Sequence, residues 1–197
     1  MKGASMKHAV ALLLFAVILA TAGAAQSSPP QRHAGYLLGT QLGPRKLAEL
    51  AYSAGVTDFK DVARATAIGL AESQGYTRAY NDNLDANGNV ISRDVGIWEI
   101  NIPASEIGTS VEENLYDPVQ NAAAMAQLHS RRGWQPWVAY TSNVYLHDTY
   151  LRRASLGVMN MAAEMFALDA RAAGQSPKTP VPMLSLKQLS SFYSLYR

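Results

Sequence analysis

A polar segment interrupts an otherwise helical sequence, and this feature limits the possible folds more than any other. Residues 76–101 are rich in Asn, Asp and Gly, and they contain the pair Asn87-Gly88, which favours a tight hairpin turn. The segments on either side repeat apolar residues at helical spacing. The sequence therefore predicts an α+β domain that is predominantly helical, with a small β-ribbon after the second helix.

The helices are predicted from residues that cap their ends as well as from their periodicity. Pro44 suits the first turn of a helix, and Thr57 and Asp117 are suitable N-caps. Glycines close several of the segments. The predicted helices cover residues 45–53, 58–73, 119–131, 137–153, 156–172 and 184–196.

The first 25 residues have the composition of a signal peptide. Lys2 and Lys7 precede an apolar run from Ala9 to Ala22, and small residues follow it. This run is shorter than the roughly 20 residues that cross a membrane, which favours cleavage over an uncleaved anchor. We therefore expect a secreted, periplasmic or cell-wall-associated protein with no stable membrane insertion after cleavage.

Composition excludes several kinds of function. The chain has 197 residues and no cysteine, so zinc–thiolate sites and cysteine nucleophiles are ruled out. An exported form without disulfides depends on its hydrophobic core, which a chain of this length can supply. The formal net charge of +2 offers no basic excess for nucleic acid.

Glu72 stands at the C-terminal end of the second predicted helix, after the apolar run from Ala67 to Ala71. An anion at that end opposes the helix dipole by about 0.3–1 kcal/mol, and apolar surroundings also disfavour the charged form. A carboxyl that keeps its proton suits general acid catalysis. A surface glutamate at a frayed helix end is nevertheless the simpler explanation of this residue taken alone.

Asp94 is predicted to lie at the polar edge of a strand that runs into a tight turn at Gly96. Glycosidases commonly use two carboxyl groups in dissimilar surroundings, one as acid and one as a charge on the other side of the sugar. A plain turn residue explains Asp94 equally well. Residues 83–94 also fit a loosened calcium-loop pattern, with Asp94 at the twelfth place, although a hairpin turn explains the same residues.

The sequence resembles the lysozyme-like superfamily in three places. Two of them are Ala71-Glu72-Ser73 and, after the Asn-rich ribbon, Asp94-Val95-Gly96-Ile97-Trp98-Glu99-Ile100-Asn101. The third resembles soluble lytic transglycosylases and the lysozyme domains of phage and actinobacterial wall hydrolases. It comprises Leu115-Tyr116-Asp117-Pro118, Asn121-Ala122-Ala123, Gly133-Trp134, Trp137 and Tyr140.

The resemblance implies an enzyme that cuts the β-1,4 bond between N-acetylmuramic acid and N-acetylglucosamine in peptidoglycan. Glu72 would be the catalytic acid and Asp94 the second carboxylate. The residues expected to bind substrate are Ser73, Trp98, Glu99, Asn101 and Tyr140. Trp98 is expected to line the cleft, whereas Trp134 and Trp137 are expected mainly to pack. No cofactor or metal is expected, the partner is the glycan strand, and the protein is expected to be a monomer.

Some differences from the family keep other functions open. Glu99 stands where the family has glutamine, and Tyr140-Thr141-Ser142-Asn143 differs from the form common in transglycosylases. A lytic transglycosylase that forms 1,6-anhydro ends is one alternative. A non-catalytic glycan-binding or calcium-stabilised interaction protein is the other. The expected division of the chain is a signal peptide over 1–25, a flexible lead-in over 26–43, a catalytic domain over 44–155 and a C-terminal helical extension over 156–197.

Overall fold

The computed structural model describes residues 35–173. Its helices are α1 (Pro44–Ser53), α2 (Phe59–Ser73), α3 (Ser110–Leu115), α4 (Pro118–Arg132), α5 (Val138–Thr141) and α6 (Asp148–Ala172). Its strands are β1 (Tyr80–Leu84), β2 (Val90–Val95) and β3 (Ile100–Pro103), and 3-10 turns cover Ala104–Glu106 and Val144–Leu146. The prediction of a mostly helical α+β domain with a small sheet after the second helix is confirmed.

Helix α2 lies at the centre of the hydrophobic core. Asp58 caps its start by accepting hydrogen bonds from the N–H groups of Lys60 and Asp61. Of its last twelve residues, from Val62 to Ser73, all but Arg64 are buried. Helix α6 packs along both α1 and α2. Helix α2 is therefore packed against both α1 and α6.

The contact of α6 with α1 depends on a glycine. A Cβ atom at Gly157 would lie 2.6 Å from backbone atoms of Pro44, which is closer than real Cβ contacts. Val158 is completely buried beside it. Only a residue without a side chain allows the two helices to approach this closely.

Helix α6 corrects the predicted break between two helices near residue 155. It is continuous from Asp148 to Ala172, whereas the sequence predicted two helices that meet near residues 154 and 155. The chain breaks earlier, over residues 142–147, where Asn143 has a left-handed backbone with φ of 61°. Ala154 and Val158 are both fully buried, so the first half of α6 contributes to the core.

Residues 35–43 are the described part of the lead-in predicted over residues 26–43, and they contact the sheet and the end of α2. Tyr36 and Tyr80 exchange two backbone hydrogen bonds, and their rings stack with centroids 4.8 Å apart. The N–H of Leu42 donates to the carbonyl of Gly75. The predicted signal peptide, the rest of the lead-in and the predicted last helix lie outside the described residues.

The sheet is antiparallel with strand order β1-β2-β3. Asp94 lies opposite Asn81 on β1 and opposite Asn101 on β3. Because alternate residues of a strand share a face, Asn83 and Ser92 lie on the same face as these three. One face of the sheet is therefore almost wholly polar.

The turn between β1 and β2 is a hairpin turn. One Asp85 oxygen accepts the N–H groups of Asn87 and Asn89 at 2.8 and 2.9 Å, and Gly88 has φ of 84°. Residues 85–89 therefore form the hairpin turn that the sequence predicted. Among residues 35–173, no group of three or more His, Asp or Glu side chains is placed to hold a metal ion.

A charged network supports the opposite face of the sheet. Arg93 donates to both oxygens of Asp82, at 2.6 and 3.1 Å, and to Glu112 at 2.9 Å. Burial raises the pKa of Glu112, but hydrogen bonds from the Gly108 N–H, the Tyr116 hydroxyl and Arg93 outweigh it and hold that pKa below its ordinary value. The network ties β1 and β2 to α3.

In the part of the chain that the structure describes, no helix is long and apolar enough to cross a membrane.

Candidate active site

Glu72 is placed by the last turn of α2. The helix ends because Gln74 adopts a left-handed conformation with φ of 56° and Gly75 follows with φ of 84°. The Glu72 residue is only 8% exposed, and its Oε1 accepts the backbone N–H of Ala139 at 2.8 Å. A contact with α5, which is distant in sequence, therefore orients this buried carboxyl.

Asp94 is held by the strands on both sides of it. Its Oδ1 accepts the amide of Asn101 at 2.8 Å, and its Oδ2 accepts the amide of Asn83 at 3.1 Å. The Ser92 hydroxyl oxygen accepts from the same two amides, at 3.0 and 3.1 Å. The orientation of the carboxylate is thus coupled to the register of all three strands.

Glu72, Asp94 and Glu99 line one cavity of about 270 Å³. The other lining residues are Asn81, Asn83, Pro136, Trp137 and Val138. The sheet supplies a polar wall, and the residues around the start of α5 supply a largely apolar one. A sugar ring has hydroxyl edges and apolar C–H faces, so a cleft with walls of both kinds can hold it. The structure brings the two predicted carboxylates together.

The turn between β2 and β3 is positioned by Asn121, whose role the sequence did not predict. This buried side chain donates to the carbonyls of Val95 and Leu115, at 2.9 and 3.0 Å, and accepts the N–H of Trp98 at 2.9 Å. Gly96 lies against it with φ of 77°, and a Cβ atom there would overlap the Asn121 amide. One amide therefore fixes the turn that carries Glu99.

Two of the predicted substrate-binding residues have no surface to offer a sugar. Trp98 is 0% exposed, and its indole N–H donates to the carbonyl of Ala65 at 2.8 Å. Ser73 is also 0% exposed, and its hydroxyl donates to the carbonyl of Ile97 at 2.8 Å. The prediction that Trp98 lines the cleft is wrong, because packing against α2 covers the ring. Both residues link α2 to the β2–β3 turn.

The other predicted substrate-binding residues are Glu99, Asn101 and Tyr140, and they do not all line the cavity. Glu99 lines it, and Asn101 contacts Asp94 from the exposed side of β3. Tyr140 is not among the lining residues and stacks on Tyr145, with ring centroids 5.3 Å apart.

Trp137 was expected mainly to pack, yet it lines the cavity as well. It is only 4% exposed. Its indole N–H donates to the carbonyl of Trp98 at 2.8 Å, which joins the start of α5 to the β2–β3 turn. In the sequence, this position could have been recognised as a candidate cavity residue because it is an aromatic residue close to the Gly133-Trp134 motif.

A second, more open hollow of about 620 Å³ lies beside the charged network and does not include Glu72. Its acids, Glu112 and Glu113, are paired with Arg93 and Arg78 respectively. Both acids are therefore already bound to arginine side chains. The cavity that contains Glu72 and Asp94 is the better candidate for chemistry.

The family of the domain is identified by comparison with known proteins. Residues 48–139 match the family model described as "Lysozyme like domain". The chain therefore carries a domain of the lysozyme-like superfamily, as its motifs predicted. Such a domain indicates action on peptidoglycan, as a glycosidase or a transglycosylase, and a place outside the cell or in the periplasm. No curated protein matches the chain.

Proposed function

We propose that the protein is a muramidase, which hydrolyses the β-1,4 bond between N-acetylmuramic acid and N-acetylglucosamine. The observation that supports this most strongly is the pairing of two differently held carboxyls in one cavity. Glu72 is buried at a helix end, whereas Asp94 is held among amides on the sheet. Dissimilar surroundings of this kind separate the two roles in glycosidases, and lysozyme is the type case of that principle.

Glu72 acts as the general acid. Protonated Glu72 donates its proton to the glycosidic oxygen as the bond from that oxygen to the anomeric carbon breaks. The N–H of Ala139 holds the carboxyl in a fixed orientation, so little rotational freedom is lost when the sugar binds. Removal of the acid is expected to cost about two to four orders of magnitude in rate.

Asp94 acts on the positive charge that develops at the anomeric carbon. Its carboxylate either stabilises that charge or attacks the carbon, and water completes the hydrolysis in both cases. The amides of Asn83 and Asn101 preorganise it. A preorganised charge stabilises a transition state without reorganisation during the reaction.

A lytic transglycosylase is the second candidate, and one observation favours it. Both oxygens of Asp94 already accept hydrogen bonds from amides, which lowers the ability of the carboxylate to attack. In the lytic reaction the 6-hydroxyl of the muramic acid attacks its own anomeric carbon, so that a 1,6-anhydro ring forms. That hydroxyl gives its proton to Glu72, which has just protonated the leaving oxygen. No second carboxylate takes part.

Mass spectrometry of purified peptidoglycan after digestion tests both candidates. Wild type is compared with Glu72→Gln and with Glu164→Gln, a matched change at an exposed glutamate on α6. We expect reducing-end muropeptides from wild type and Glu164→Gln, and none from Glu72→Gln. Anhydro ends would establish the lytic reaction instead. If wild type binds glycan in a pull-down but releases no fragment, the protein is a non-catalytic glycan-binding protein.

A further inference from the structure

We propose that Glu99 is a further catalytic residue, the base that takes a proton from the attacking water. This inference rests on the proposed hydrolysis. Glu99 lines the same cavity as Glu72 and Asp94. The cavity volume of about 270 Å³ is several times the roughly 30 Å³ that a water molecule occupies in the liquid. The cavity therefore has room for water molecules.

The backbone that carries Glu99 is held firmly. Its N–H donates to the carbonyl of Gly96 at 3.2 Å, which closes the turn. The preceding residue, Trp98, is anchored by its own backbone N–H, its indole N–H and its carbonyl, bonded respectively to Asn121, Ala65 and Trp137. A catalytic base needs this kind of support, because misplacement by about 1 Å costs about 100-fold in rate.

Two costs accompany a glutamate at this position. Its backbone φ of 44° lies in the left-handed region, which disfavours residues with a Cβ atom. Its carboxyl also lies in one small cavity with those of Glu72 and Asp94. Like charges at close range disfavour one another. Costs of this kind persist at functional sites.

We assign different steps of the reaction to Asp94 and Glu99. Both Asp94 oxygens accept amide hydrogen bonds within the sheet, so Asp94 stabilises charge from a fixed place. Water attacks the anomeric carbon and gives a proton to Glu99, while the glycosidic oxygen leaves with the proton of Glu72. Glu99 ends protonated and Glu72 ionised, and exchange with solvent restores both. A single displacement of this kind inverts the anomeric centre.

The first test is the variant Glu99→Gln, which keeps the shape of the side chain but cannot take up the proton. On soluble glycan strands we expect kcat to fall about 100-fold to 10,000-fold, with KM changed less than threefold. Glu164→Gln on α6 should match wild type. The urea midpoint of Glu99→Gln should not fall below the wild-type value, because the change removes one charge from a group of like charges. A loss of activity without a loss of stability separates a catalytic role from a structural one.

Azide provides the second test. Azide has no proton to lose, so it needs no base when it attacks the anomeric carbon. We expect azide to restore cleavage by Glu99→Ala, with a glycosyl azide as the product, and to leave Glu72→Gln inactive. NMR of the fresh wild-type product should show the α-anomer at the new reducing end.

Three results would overturn the proposal and leave glycan cleavage standing. They are wild-type kcat in Glu99→Gln, a product of retained configuration, and anhydro ends from wild type. A Glu99→Ala variant that loses activity together with stability, and that azide does not rescue, would show a structural role and overturn it too. Absence of cleavage by both wild type and Glu164→Gln would overturn the proposed function itself.

Discussion

Replacement of Asn121 by alanine should damage the β2–β3 turn more than any change at the surface. The variant leaves three buried groups without their partner, the N–H of Trp98 and the carbonyls of Val95 and Leu115. Each buried polar group that loses its hydrogen bond costs about 1–3 kcal/mol. Because neighbouring losses are not additive, we expect the free energy of unfolding to fall by about 3–5 kcal/mol in total.

Urea denaturation followed by circular dichroism measures this loss. A fall of that size is a large part of the roughly 5–15 kcal/mol that stabilises a domain, and it should lower the Tm by roughly 10 °C or more. Asn114→Ala on α3 is the matched control, because Asn114 is exposed, and it should change the stability by less than about 0.5 kcal/mol. The m value should stay the same in both variants.

The reasoning would be refuted by a loss below about 1 kcal/mol in Asn121→Ala with an unchanged m value. Such a result would mean that water replaces the amide at all three groups, and that the turn is not as dry as its burial indicates. Activity gives an independent check. Because the turn carries Glu99, the rate of the proposed glycan cleavage should fall even at temperatures where the variant is fully folded.

Three further changes have defined outcomes. Trp137→Phe removes the hydrogen bond to Trp98 and the five-membered ring of a buried indole, so it should lower the free energy of unfolding by more than about 1 kcal/mol and lower kcat more than it raises KM. The lowered pKa of Glu112 means that its ionised form stabilises the fold above about pH 4.5 and that this contribution is lost as the pH falls below it. Wild type should therefore exceed Glu112→Gln in unfolding free energy at neutral pH, and a gap that stays constant on acidification would contradict this. Gly157→Ala should lower the free energy of unfolding by about 1–3 kcal/mol, because its Cβ would meet the backbone of Pro44. An unchanged free energy of unfolding would show that α6 can shift.

The sequence predicted the fold class and the two paired carboxyls because these depend on local signals. Turn residues and helix caps mark the inserted sheet, and Glu72 and Asp94 stand in recognisable motifs. The role of Asn121 could not be predicted in this way. Its partners in the turn lie 23 and 26 residues earlier in the chain, and no local rule connects residues that far apart.

The wrong predictions for Trp98 and for the helix break near residue 155 also have physical causes. Trp98 follows a glycine-containing turn, so the sequence allows either an exposed or a buried ring, and its contact with Gly69 on α2 decides for burial. The helix break near residue 155 was misplaced because the helical periodicity continues across it. The break falls instead where Asn143 turns left-handed, and this residue type signals a turn only weakly.

The hydrogen bond from Ala139 to Glu72 also has a consequence for the time at which the site can exist. The two residues are 67 positions apart, and the sheet with Asp94 lies between them in the chain. A ribosome or a translocation channel that has released Glu72 must release α4 and the start of α5 before the carboxyl has its donor. An unfinished chain therefore contains Glu72 but lacks the hydrogen-bond donor that orients its carboxyl.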